Sequence, residues 1–148
     1  MAVAPPTALE TIRRLLLGLL VLGLVGTTTE LWFMSHYEVW KQIIPFAGMG
    51  ASLLTLLWFS FARSTWATRS FRLCMFVLMV IGATGTILHY RANMEFQLEM
   101  DSTLSGMALL FKVLHAKAPP ALAPGNMALL GLLGLISTLG INRVSQQA

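Results

Sequence analysis

Charged side chains are scarce in this chain. Asp, Glu, Lys and Arg make up 11% of its 148 residues, where an average soluble domain carries about 25%. With 56% hydrophobic residues and a mean hydropathy of +0.73, too few polar groups remain to clothe a water-soluble globule. A soluble enzyme and a disordered chain are both excluded on these grounds. Cysteine is nearly absent. Cys74 stands alone, which excludes an internal disulfide, a Cys-x-x-Cys redox pair and a thiolate zinc site. No Gly-x-Ser-x-Gly, His-Glu-x-x-His or Cys-x-x-Cys-His pattern occurs, and Gly48-Met49-Gly50 lies within an apolar run rather than in a phosphate loop. What remains is an integral membrane protein without a recognisable catalytic motif.

Long apolar runs are what the chain has. A membrane helix needs about 20 mostly apolar residues, and four stretches qualify, at about 15–34, 43–62, 73–90 and 121–141. The expected fold is all-α, a single four-helix integral membrane domain. Arg13 and Arg14 before a leucine-rich core resemble a cleaved signal, but no small-x-small site follows Gly26 and the apolar run resumes at Leu31–Met34. The first run is therefore expected to stay as an anchor. Arg13, Arg14, Arg63, Arg69, Arg72 and Arg143 fall on one side with Glu10. Lys41, Arg91, Lys112 and Lys117 fall on the other with Glu30, Glu38, Glu95, Glu99 and Asp101. By the positive-inside rule both termini face the cytoplasm of a bacterial inner membrane. Trp32, Tyr37, Trp40 and Tyr90 then lie near the outer interface and Trp66 near the inner one. The basic pI of about 9.9 reflects this arrangement and lipid headgroups, so the partner is the bilayer and not nucleic acid.

Local signals refine the plan. Thr7 and Glu10 form a capping-box pattern, as do Ser35 and Glu38, so the first helix is expected to end near Met34 with a second beginning almost at once. Pro45 should kink that second helix. Glycines recur through the spans without GxxxG spacing, which points to general bundle packing. Residues 92–125 form the one long hydrophilic excursion, on the outer side. Its opening, Asn93–Asp101, alternates polar and apolar residues and predicts an extended strand with Met94, Phe96, Leu98 and Met100 on one face. A helix would instead bring Glu95 and Glu99 together. A short amphipathic helix through Ala116, capped by Asp101 or Ser102, is expected next, and then a stiff proline-rich return over Ala118–Gly125. The three pieces together predict an ordered outer cap.

All three histidines and five of the six acids fall on that outer side. Glu30 is expected near the outer end of the first span, where an ionisable group is costly unless paired, protonated or near water. It is a candidate proton or cation site, or the partner of Arg91. His36 and His89 lie at outer helix ends and are candidate ligands for haem or a divalent metal, with Arg91 placed to meet a propionate. The simpler alternative is interfacial histidines bonding nearby backbone or acids, with no cofactor. The functional expectation is a non-catalytic accessory subunit of an inner-membrane complex, bound to other subunits or to further copies of itself through Met94, Glu95, Phe96, Leu98, Glu99 and Met100. A small oligomeric proton- or cation-coupled transporter using Glu30 is the alternative, and a redox or metal-binding protein using His36 and His89 is the third.

Overall fold

The computed structural model describes residues 6–62, 64–116 and 123–141. These form five helices: α1 (Ala8–Phe33), α2 (Trp40–Ala62), α3 (Thr65–Met100), α4 (Gly106–Leu114) and α5 (Gly125–Ser137). No strand occurs among the described residues. Two helices, α2 and α3, are long and apolar enough to cross a membrane.

The start of α1 follows the sequence signal. Thr7 Oγ1 accepts the Glu10 N–H at 3.3 Å and Glu10 Oε2 accepts the Thr7 N–H at 2.8 Å, so two orphan donors are satisfied reciprocally. The end of α1 does not follow it. The Ser35 N–H donates to Trp32 O and the His36 N–H to Leu31 O, both at 3.0 Å, with Ser35 at φ +54°. That is a Schellman motif with serine where glycine is usual. The Ser35–Glu38 box therefore does not form. α2 starts later, at Trp40, where Gln42 Oε1 accepts the Val39 N–H at 3.0 Å. Pro45 sits in the second turn of α2, where its ring removes one ladder bond.

α3 is 36 residues long, about 54 Å at 1.5 Å per residue, and exceeds the expected 73–90 at both ends. Ser64 Oγ caps its start by accepting the Ala67 N–H at 3.1 Å. At the far end the expected strand is instead the last turns of this helix. Asn93 is buried and Met94, Gln97 and Leu98 are half-buried, whereas Glu95, Phe96, Glu99 and Met100 are exposed. That is a helical face, and it splits the alternating set, with Met94 and Leu98 inward and Phe96 and Met100 outward. The physical reason is cooperativity: extending an existing helix needs no new nucleus, Met, Glu, Gln and Leu all favour it, and a lone strand has no ladder partner.

α4 packs against α3 through the fully buried Val113. It begins after Ser105, with Gly106 at φ +54°, so neither Asp101 nor Ser102 caps it. Asp101 instead closes α3, its Oδ1 accepting the Thr103 hydroxyl at 2.6 Å and the Thr103 N–H at 3.1 Å. These bonds hold its carboxyl below the usual range. The fourth apolar run appears as α5, 13 residues, about 20 Å. Residues 121 and 122, common to the expected span and the proline-rich return, lie outside the described residues, as do residues 118–120 of that return and Arg63, Lys117 and Arg143.

α5 lies between α1 and α3, antiparallel to both. Near one end Asn126 Nδ2 donates to Thr27 Oγ1 at 2.7 Å. At the other, Arg13 Nε donates to Ser137 O at 3.0 Å, and Arg72 Nη2 to Thr138 O at 2.6 Å. The α3–α5 seam is built of glycine. A Cβ at Gly131 would lie 2.5 Å from Met75 O and 2.7 Å from Met79 N, and one at Gly82 would meet Ala128 N. Backbone therefore runs against backbone, as small residues permit in apolar bundles. α2 packs on the opposite flank of α3, where Phe59 stacks on Phe71 with centroids 5.2 Å apart. Leu20, Leu24, Met49, Leu56, Phe71, Met75, Leu78, Met127 and Leu130 form the core.

Outside this core the helices expose large apolar side chains, among them Leu22 at 70%, Leu54 at 69% and Phe61 at 82%. Hydroxyls within the helices bond their own backbone one turn back: Thr28 to Leu24 O, Ser52 to Gly48 O, Thr55 to Ala51 O and Thr86 to Gly82 O. Such back-bonding satisfies a hydroxyl without water.

Candidate functional site

The sequence-derived candidates gather at the end of the bundle that holds the α1–α2 turn. The Schellman turn after α1 delivers His36 toward α3, where its ring centroid lies 6.4 Å from that of His89, with the planes tilted by 53°. Burial, and second the charge of His89, hold the His36 imidazole below its ordinary value, so it is neutral at pH 7. On the other side of the same turn Trp32 packs against Tyr37, centroids 5.1 Å apart. The unfolded chain therefore binds more protons than the folded one once the pH falls below about 6.5. The contact keeps its full stability above that range and loses it as the pH drops toward the lowered value of His36. In a variant retaining Trp32 as its one tryptophan, acidification from pH 7.5 to 5 should change the Trp32 emission, and His36→Asn should flatten that response. A flat profile in the parent would contradict the coupling.

The structure brings together fewer of the other candidates. Glu30 lies exposed in the last turn of α1, and its expected ion pair with Arg91 is not formed. Among the described residues the ion pair within 4.0 Å is Lys112–Asp101. Both of its members are about half exposed, so solvent screens their attraction. Arg91 and Glu38 are exposed, and Glu38 caps no helix. No group of three or more His, Cys, Asp or Glu side chains converges among the described residues. The His36–His89 pair supplies two ligands, where protein-held divalent ions usually take three or more.

The docking candidates fare differently. The last turns of α3 and the whole of α4 expose apolar side chains that the core does not use: Phe96, Met100, Met107, Phe111 and Leu114. On α4 the latter three recur at helical spacing, away from the buried Val113. The Met94–Met100 set was legible as apolar, but only its Phe96 and Met100 half is presented. No family model, curated protein or solved structure matches this chain.

Two residues with a specific structural task escaped the sequence reading. Arg13 and Arg72, read there only as orientation signals, close the carbonyl end of α5. Arg13 also reaches Leu139 O at 3.1 Å, and Arg72 Nε reaches Thr138 Oγ1 at 2.9 Å. The available signal was the last turn of α5, which carries no basic residue of its own to meet its unpaired carbonyls.

Proposed function

We propose that this chain is a multi-pass protein of a bacterial inner membrane, with α1, α2, α3 and the α5 region as four crossings and both termini cytoplasmic. In this reading it acts as a non-catalytic accessory subunit. It docks neighbouring membrane subunits, or further copies of itself, through the end of α3 and α4. The orientation rests on charge: Arg13, Arg14, Arg69 and Arg72 cluster at one end of the bundle with Glu10, while Glu30, Glu38, Glu95, Glu99 and Asp101 outnumber the bases at the other. α3 supports the docking role by its length, since about 54 Å is well beyond the roughly 30 Å of a hydrocarbon core. His89 is 11 residues short of its end, which leaves about 16 Å of helix beyond it.

The observation that carries the reading is the apolar ridge on that extension. Phe96, Met100, Met107 and Phe111 are each more than half exposed on a part of the molecule that lies past the crossing segment. Aromatic anchors of this kind dominate protein interfaces, at about 2 kcal/mol or more for a central ring. One such ring corresponds to roughly thirty-fold in affinity, so the double variant Phe96→Ser, Phe111→Ser should weaken assembly by at least that much while leaving membrane retention unchanged. Native electrophoresis of membranes solubilised in a mild detergent checks this. The parent should run as an assembly and the variant as a single chain. A parent that runs alone, or a variant that stays assembled, would contradict the docking role.

A further inference from the structure

The opposite end of the bundle carries a feature that the docking role does not use. α1 and α2 meet near their connecting turn, where Thr28 Oγ1 bonds Met49 Sδ at 3.3 Å, but elsewhere α1 packs more against α5 than against α2. Two hollows lie along the resulting gap. One, of about 490 Å³, lies between the starts of α1 and α3, where Phe59 and Ile141 line it together with the charged and polar Arg13, Arg14, Ser64 and Thr68. The other, of about 380 Å³, is apolar, lined by Gly18, Val21, Leu53, Leu56 and Leu57. Leu17 and Ser60 line both, so the hollows adjoin and form one groove that is cationic at its mouth and apolar along its length.

We infer that this groove holds one anionic phospholipid, with its phosphate at the Arg14 pocket and an acyl chain lying between α1 and α2. The inference rests on the membrane-spanning reading above and adds a bound ligand to it. Charge complementarity selects the headgroup. Arg13 is half-buried and spends two donors on Ser137 O and Leu139 O, whereas Arg14 is exposed and makes no hydrogen bond among the described residues, its charge acting on the Glu10 carboxylate. Glu10, the one acid lining the pocket, has its carboxylate held on the Thr7 N–H, and the two guanidiniums outnumber it. The pocket also faces the first turn of α3, the positive end of a 36-residue helix, where phosphate oxygens are favoured. Basic pockets between helices on a cytoplasmic face suit anionic lipid headgroups for these same reasons. The apolar stretch selects a chain rather than a free anion. It is walled by aliphatic side chains, and a Cβ added at Gly18 would meet nothing within 4 Å, so a methylene chain has room there.

Native mass spectrometry of the full chain in mild detergent tests this, with dioleoyl phosphatidylglycerol, dioleoyl phosphatidylcholine or inorganic phosphate added at equal concentration. The parent should retain one phosphatidylglycerol at least five-fold better than phosphatidylcholine and should retain no phosphate. Arg14→Gln should bring the two lipids to parity. Gly18→Leu should fill the groove and reduce retention of both, with a melting temperature like the parent's because its side chain enters open space. Equal retention of the two lipids by the parent would overturn the assignment, and so would phosphate retained as well as lipid, or lipid retention untouched by both variants. Carbonate extraction of membranes separates these failures from failure of the spanning reading, since a spanning chain stays in the pellet whether or not it binds a lipid.

Discussion

Gly131→Ala should force α5 away from α3 and cost about 3 kcal/mol. The added Cβ would lie 2.5 Å from Met75 O and 2.7 Å from Met79 N. Both contacts are backbone, so no rotamer change relieves them and one helix must translate. Overpacking of a tight core typically costs about 1–3 kcal/mol, and rigid backbone on both sides puts this site at the upper end. Gly82→Ala should act similarly, because its Cβ would meet Ala128 N and lie 2.8 Å from Pro124 O. The two changes open the same seam, so the double variant should lose less than the sum. Gly26→Ala is the control. Its Cβ would meet nothing within 4 Å, and replacing a helical glycine by alanine favours the helix by about 0.5–1 kcal/mol. Thermal unfolding in detergent, followed by circular dichroism, should lower the midpoint for Gly131→Ala and hold or raise it for Gly26→Ala. Equal midpoints would contradict the seam.

Arg72→Ala should also be strongly destabilising, by about 3 kcal/mol. Its guanidinium donates to Thr138 Oγ1 at 2.9 Å and to Thr138 O at 2.6 Å, and Thr138 is 1% exposed. Hydrogen bonds from a charged donor are worth about 1.5–3 kcal/mol, and a buried acceptor left alone bears its full desolvation cost. Arg13 cannot substitute, because its own donors are committed to Ser137 O and Leu139 O. Arg72→Lys should recover part of the loss, since an ammonium supplies a point charge but not the planar fork that reaches two acceptors. Unfolding by denaturing detergent should rank the parent first, lysine second and alanine last. An alanine variant as stable as the parent would show that α5 is held by packing alone.

The sequence made the apolar runs legible because composition and length decide them. Thr7–Glu10 was legible too, since a capping box is a local pattern with local consequences. Asn93–Asp101 was misread because its alternation fits only the strand period, whereas its helix-favouring residues and its continuity with α3 settle the choice. Ser35 carries no signal for a left-handed residue, so the turn that places His36 beside His89 could not be located from spacing. The glycine seam escaped because both helices use a three-residue spacing, Gly82 with Gly85 and Gly131 with Gly134, and each is meaningful only against its partner. The Arg13 and Arg72 contacts with α5 join residues 66 or more apart. No local pattern encodes such a pairing.

The proposed topology is a bundle that crosses the membrane four times, with the arginine end inside and the α3–α4 extension outside. Single-cysteine labelling tests it most directly, because Cys74 is the one cysteine to remove. In a Cys74→Ala background, Glu38→Cys and Glu99→Cys should react with a membrane-impermeant maleimide added to intact cells. Thr11→Cys and Thr65→Cys should react only after the membrane is opened. Labelling of Glu99→Cys and Thr65→Cys from the same side would contradict the crossing of α3, and with it the docking role built on its far end.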